Sequence, residues 1–301
     1  MTLDQILDKA TDKTNFQSLE GYFDFCRFYL EYIQTNLQAV IVSQNENHYQ
    51  FFQYDENGGF QITRPINSQL MLNADSFGNA VQIFLDVLGS LSEKKRGGAQ
   101  ANQAAAINNV VYTLQQSIGA ALDALPAGRS NTARKLNGDL FEQLIRLILQ
   151  RLRLECRAGT VQVPVVIDGE AAFKMSYQHD LIVEKNGKIK LFGSVKTSSK
   201  DRIDKIFVDK FLYNKLTSTT VPHIAVFLHD VQRKNTKRED EYGINATFLP
   251  GHFKGYTVKL NPLDGVYYCD IRPNMRTEAI LKDHIKTFDR LLAEDIWTFL
   301  K

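Results

Sequence analysis

Apolar positions along the chain follow two rhythms, and the switches between them mark out its elements. Residues 16–37 (NFQSLEGYFDFCRFYLEYIQTN) repeat at helical spacing and predict an aromatic-rich amphipathic helix. The segments AVIVSQ, HYQFFQY and FQITRPI then alternate and predict strands, with Asn57-Gly58-Gly59 as a hairpin turn. Helical spacing returns over about 67–92, ending near Gly89, and over 107–125, where Pro126 and Gly128 stop it. Between these two helices, residues 92–106 (SEKKRGGAQANQAAA) offer little to bury and predict a linker.

A stronger helix is expected at about 139–154, with Gly138 and Asp139 at its start. Phe141, Leu144, Ile145, Ile148 and Leu152 form its apolar face. After Gly159 the rhythm changes to strands: VQVPVVI, HDLIVE, and IKLFGSVKTS across Asn186-Gly187. Asp201 can cap a helix of about 201–216, and HIAVFLHDV is a continuous apolar run suited to a central strand covered on both faces. Beyond the charged loop QRKNTKREDEYG, strands are expected around YTVKL and VYYCDI. A final helix over about 277–300 carries Ile280, Leu281, Ile285, Phe288, Leu292 and Ile296.

The order helix, strand hairpin, helix, central strand predicts an α/β fold with a mixed central sheet flanked by helices. An N-terminal α+β lobe (1–91) and a linker (92–106) would precede the main domain (107–301). With 301 residues, 44% of them apolar, the chain can build a sizeable core. The net charge of +2 excludes a protein that is polycationic throughout, but leaves room for one basic cleft. Cys26, Cys156 and Cys269 lack disulfide or zinc spacing and are expected to be reduced thiols. The absence of a secretory pattern or a long apolar run predicts a cytoplasmic location.

Candidate chemistry concentrates in residues 180–202, DLIVEKNGKIKLFGSVKTSSKDR. Hydrolysis of a phosphodiester needs a carboxylate to hold Mg²⁺ and a cation to orient water or balance developing charge. Asp180 on one strand of the hairpin and Lys196 on the next can supply both. Alternation puts Ser194 and Lys196 on one face. A strictly paired hairpin closed by Asn186-Gly187 would set Asp180 opposite Gly193 and turn it away from Lys196. A bulge or a three-residue loop would instead bring Asp180, Ser194 and Lys196 together.

Asp180…Ser194-Val195-Lys196 resembles the PD-(D/E)xK nuclease motif, and the string SVKTSSKDR resembles the branch of type II restriction endonucleases that cut at CCGG or CCNGG cores. The resemblance covers about 139–231. It implies a restriction-endonuclease-like fold and Mg²⁺-dependent hydrolysis of double-stranded DNA to 5′-phosphate ends. It further implies a homodimer or higher oligomer, and a cognate DNA methyltransferase acting on the same site. In that branch a serine can replace the second acidic residue, as Ser194 does here, and the missing carboxylate comes from elsewhere. Glu142 on the preceding helix and Asp209 on the following one are the alternatives. Asp209 lies 13 residues after Lys196, whereas the family pattern usually has Glu at 14, where this chain has Lys210.

The resemblance also assigns Lys200, Asp201 and Arg202 to readout of G·C pairs. The chemistry agrees, since Lys or Arg can donate to guanine and Asp can accept from cytosine N4. Two other classes stay open at this level: a structure-specific or repair nuclease, and a DNA-binding module that keeps the fold without the chemistry. Val195 occupies the position where a phosphate-binding loop needs glycine before its lysine, so an NTPase reading is excluded. His179, His223 and His229 flank strands and are expected to be structural.

Overall fold

The computed structural model describes all residues except 57–58, 93–100, 127, 201, 235–237 and 239–240. The N-terminal part consists of α1 (Leu3–Thr11), a short 3₁₀ turn (Lys13–Phe16), α2 (Leu19–Asn36), strands β1 (Ala39–Val42), β2 (Tyr49–Glu56), β3 (Gly59–Ile62) and β4 (Ile66–Asn67), and α3 (Ala74–Ser92). Thr2 and Gln5 form a reciprocal capping box on α1, and Ser18 caps α2 at the amide of Gly21. Gly21 is required by close approach, because a Cβ there would lie 2.0 Å from the carbonyl oxygen of Asn15. The four strands pair antiparallel, with β2 at the centre. Of the turn expected between β2 and β3, Asn57 and Gly58 lie outside the described residues.

Two long helices follow, α4 (Ala101–Leu122) and α5 (Ser130–Arg151). Residues 101–106, expected in the linker, form the first turns of α4. The start expected at Gly138 and Asp139 is corrected, since both lie inside α5. Its apolar face already begins at Ala133 and Leu136, so burial overrides the weak local preference against glycine.

The main sheet is built from β5 (Glu155–Ile167), β6 (Glu170–Lys185) and β7 (Lys188–Ser198), then β8 (His223–His229) after α6 (Ile203–Thr217). Strands β9 (Val231–Arg233) and β10 (Ile244–Ala246) form a separate two-stranded ribbon. Helix α7 (Pro250–Lys259) precedes β11 (Gly265–Tyr268). The chain ends with α8 (Pro273–Thr277), α9 (Leu281–His284), β12 (Ile285–Thr287), α10 (Phe288–Arg290), a π-helical turn (Leu291–Asp295) and α11 (Ile296–Phe299). Strand order is β12-β11-β8-β7-β6-β5, antiparallel from β5 to β7 and parallel from β7 to β12. This is the expected mixed α/β architecture.

Every residue of β8 is buried, as its continuous apolar run requires. Ile224, Val226 and Leu228 face one core, and Ala225 and Phe227 face another formed with α6 and α7. The first of these cores also takes side chains from α1 to α5, so the N-terminal part and the sheet share one apolar interior.

Two expectations near the C-terminus are corrected. YTVKL is not a strand: Pro250 starts α7, and Phe253 and Thr257 turn one helical face inward. The helix expected at 277–300 is broken by Ile280, whose φ is +72°, and by β12, which pairs with β11. The apolar spacing there suits a helix, but the sheet's edge takes up Ile285–Thr287. No helix among the described residues is long and apolar enough to cross a membrane, and the three cysteines are free.

Candidate active site

The site depends on how one residue is absorbed in the β6–β7 hairpin. Asn186 and Gly187 both have positive φ, 53° and 69°, as a tight hairpin turn needs. Lys185 pairs with Lys188 and Glu184 with Ile189, then the register shifts, so that Val183 pairs with Leu191 and Leu181 with Gly193. Lys190 is the extra residue of this bulge. Continued one step, the register sets Asp180 opposite Ser194, on the face that also carries Lys196. The irregularity demanded by the sequence is present.

Lys196 Nζ lies 2.7 Å from Asp180 Oδ2 and 2.9 Å from Glu142 Oε1. Asp180 Oδ2 also accepts the Val195 amide at 2.8 Å, which fixes the carboxylate against the neighbouring strand. Glu142 comes from α5, which packs on β7. The side chains are partly open to solvent: Asp180 is 13% exposed, Glu142 21% and Lys196 30%. Burial, followed by the negative charge of Asp180, holds the Glu142 carboxyl above its ordinary range, while Lys196 opposes the shift. For Lys196 burial works against the charge, but the two carboxylates outweigh it and raise its pKa. The ammonium therefore stays charged at neutral pH.

Of the two alternatives for the missing carboxylate, Glu142 is in this cluster. Asp209 forms an ion pair with Lys205 and bears electrostatically on Tyr177 instead. Lys210, the residue at the family's usual acidic position, is buried and pairs with Asp264 at 2.7 Å. Ser194 lies on the site's face, paired with Ala225 of β8 through the sheet and without a side-chain hydrogen bond among the described residues. Lys200 donates to Gln232 Oε1 at 3.0 Å, Arg202 is exposed at the start of α6, and Asp201 lies outside the described residues.

Arg146 was missed in the sequence. One turn beyond Glu142 on α5, its Nη1 donates to the main-chain oxygen of Asp180 at 3.2 Å and its Nη2 to Gln143 at 2.8 Å. The i, i+4 spacing from Glu142 was the available signal. A cavity of about 300 Å³ opens here, lined by Lys13, Gln17, Glu142 and Arg146 among others.

The three histidines are buried. His179 stacks on Phe192 with ring centroids 4.1 Å apart, and burial lowers its pKa to about 4. Burial likewise lowers His223 to about 4 and His229 to about 3. Neutral rings packed in this way are structural.

Among solved structures, the chain aligns with the type IIP restriction endonuclease Kpn2I at a TM-score of 0.72 and 17% identity, over 99% of this chain and 97% of that chain. The fold is that of a type II restriction endonuclease. Restriction endonuclease PspGI, in complex with its substrate DNA, aligns at a TM-score of 0.43 and 12% identity, over 75% of this chain and 92% of that chain. That overlap is too loose to add to the argument. No family model and no curated protein sequence matches the chain.

The restriction-endonuclease-like core thus carries Asp180, Glu142 and Lys196 together. Among the described residues no group of three or more His, Cys, Asp or Glu forms a metal cage. Two adjacent carboxylates nonetheless fit Mg²⁺, which takes one or two protein carboxylates and leaves other positions to water and substrate phosphate. The donor set is all oxygen, as a hard cation requires.

Proposed function

We propose that the chain is a type II restriction endonuclease that hydrolyses double-stranded DNA at a specific sequence with Mg²⁺, leaving 5′-phosphate ends. One observation carries this reading. A bulge in the β6–β7 hairpin brings Asp180 and Lys196 to one face, where Glu142 joins them, in a chain whose fold aligns with a restriction endonuclease almost end to end.

Asp180 and Glu142 would hold the metal, which when bound supplies Lewis-acid polarisation of the scissile phosphate. Lys196 keeps its proton, so it acts as a charge and hydrogen-bond donor and not as a base. Its ammonium can orient the attacking water and balance negative charge as it grows on the phosphate oxygens. The Val195 amide holds Asp180 in its rotamer, and Arg146 ties the Asp180 backbone to α5, so this carboxylate does not have to reorganise during the reaction. Lys200, Asp201 and Arg202 are assigned to a G·C core. A symmetric target requires two active sites and hence a homodimer. Residues 107–301 would form the nuclease domain, and residues 1–91 would support it.

The test is a digest of long unmethylated DNA with Mg²⁺, with EDTA, and with Lys196→Ala. Discrete fragments that need Mg²⁺ and vanish in the variant are expected. A smear would favour a nonspecific or repair nuclease. Binding without cutting would leave a DNA-binding module only.

A further inference from the structure

The β9–β10 ribbon has two unlike faces. Val231 and Ile244 pack with Tyr49 and Phe51 of the N-terminal sheet, and Asn45 clamps β10 by bonding both the amide and the carbonyl of Ile244, each at 2.9 Å. The other face carries Gln232 and Asn245, which are direct cross-strand partners. Asn245 is exposed and has no side-chain hydrogen bond among the described residues. Gln232 makes one, accepting from Lys200 Nζ at 3.0 Å, and its own NH₂ group has no acceptor among the described residues.

We infer that this ribbon is a base-reading element, in which Gln232 and Asn245 recognise adenine in the major groove beside the pair read by Lys200. The inference rests on the proposal that the chain is a site-specific nuclease. Three features carry it. A side-chain amide matches adenine, accepting from N6 and donating to N7, and a two-stranded ribbon fits the major groove. Lys200 orients the Gln232 amide by occupying one lone pair of Oε1, leaving the second lone pair and both N–H groups for a base. The reach is also suitable. β7 and β8 run parallel with Lys196 beside Phe227 and Ser198 beside His229, so the ribbon follows directly beyond the catalytic strand. Lys200 is four residues from Lys196, at most about 14 Å of chain, or roughly four base steps of ~3.4 Å. In this arrangement the N-terminal sheet is the rigid backing of a recognition surface, and the target contains A·T pairs as well as G·C pairs.

The test is to digest a duplex library with a randomised segment in Mg²⁺ and sequence the cut ends, using the full-length protein and its Gln232→Ala, Asn245→Ala and Gln232→Glu variants. Wild type should yield a consensus containing an A·T pair. Each alanine variant should lower discrimination at one such position by roughly 5- to 150-fold, while cutting of preferred sequences continues. Gln232→Glu should move the preference toward cytosine, whose N4 donates to a carboxylate, a gain that misfolding cannot imitate. An unchanged consensus in all three variants, or an equal loss at every sequence, overturns the inference while the nuclease reading stands. If the wild type gives no consensus, both fall together.

Discussion

At the β6–β7 hairpin one ammonium serves two carboxylates. At the joint between the N-terminal sheet and β11, by contrast, the charges are pinned by many partners. Arg272 grips Glu46 with two hydrogen bonds, of 2.7 and 2.5 Å, and buried Asp270 accepts from Tyr49 at 2.8 Å and Asn67 at 2.9 Å. The joint is mostly buried and its role is attachment. The hairpin cluster is partly open, and Glu142 is held toward its protonated form by burial and by its neighbour. Carboxylates closed off from solvent cannot be reached by a ligand, whereas half-exposed ones that crowd a single ammonium are open to an incoming cation. The same residue types are therefore held in two different ways, and the difference lies in their partners and their exposure.

The sharpest way to break this contrast is Lys196→Ala. Single-turnover cleavage in Mg²⁺ should fall by about 10²–10³-fold or more, with thermal melting nearly unchanged. A large loss of stability with little loss of rate would make the hairpin cluster structural after all. Arg272→Ala should behave in reverse. It leaves Glu46 and Asp230 without their cation and should cost about 3 kcal/mol in urea unfolding, while the folded fraction keeps its cleavage rate.

Smaller changes sharpen the comparison. Tyr49→Phe removes one donor from Asp270 and should cost about 1–2 kcal/mol of stability. Arg146→Gln should slow cleavage about tenfold, the equivalent of a ~1.4 kcal/mol hydrogen bond, because it loosens Asp180 without touching the reacting atoms. Unaltered cleavage would remove Arg146 from the site.

A separate effect concerns pH. Burial pushes the Asp230 carboxyl up to about 7, Arg272 opposes this, and Asp270 and Glu46 add to it. The folded protein thus keeps a proton that the unfolded chain releases near pH 4. Its stabilising contribution is full below about pH 4 and is lost as pH rises toward about 7. Asp230→Asn should flatten the fall in melting temperature across that window. An unchanged slope would show that Asp230 is ionised in the folded state.

The sequence by itself determined the alternating and helical segments whose rhythm matches a single environment. Strand β8 is apolar throughout because both its faces are covered, and α2 and α5 repeat their apolar positions because each turns one face to a core. It also determined that Asp180 and Lys196 could meet only through an irregularity, since side-chain direction along a strand has a period of two. Tertiary structure decided the rest. Which carboxylate joins Lys196 depended on how α5 packs on β7, because spacing along the chain cannot distinguish Glu142 from Asp209. Helix α7 and the broken C-terminus ran against the local pattern for a related reason. Spacings such as that of Leu281, Ile285 and Phe288 serve a helix or a sheet edge equally well until a partner strand competes for the backbone. The pairing of Gln232 with Asn245, and the bond from Lys200 to Gln232, join residues up to 32 positions apart. Local pattern holds no record of such contacts, which exist only once the sheet and the N-terminal layer have been brought together.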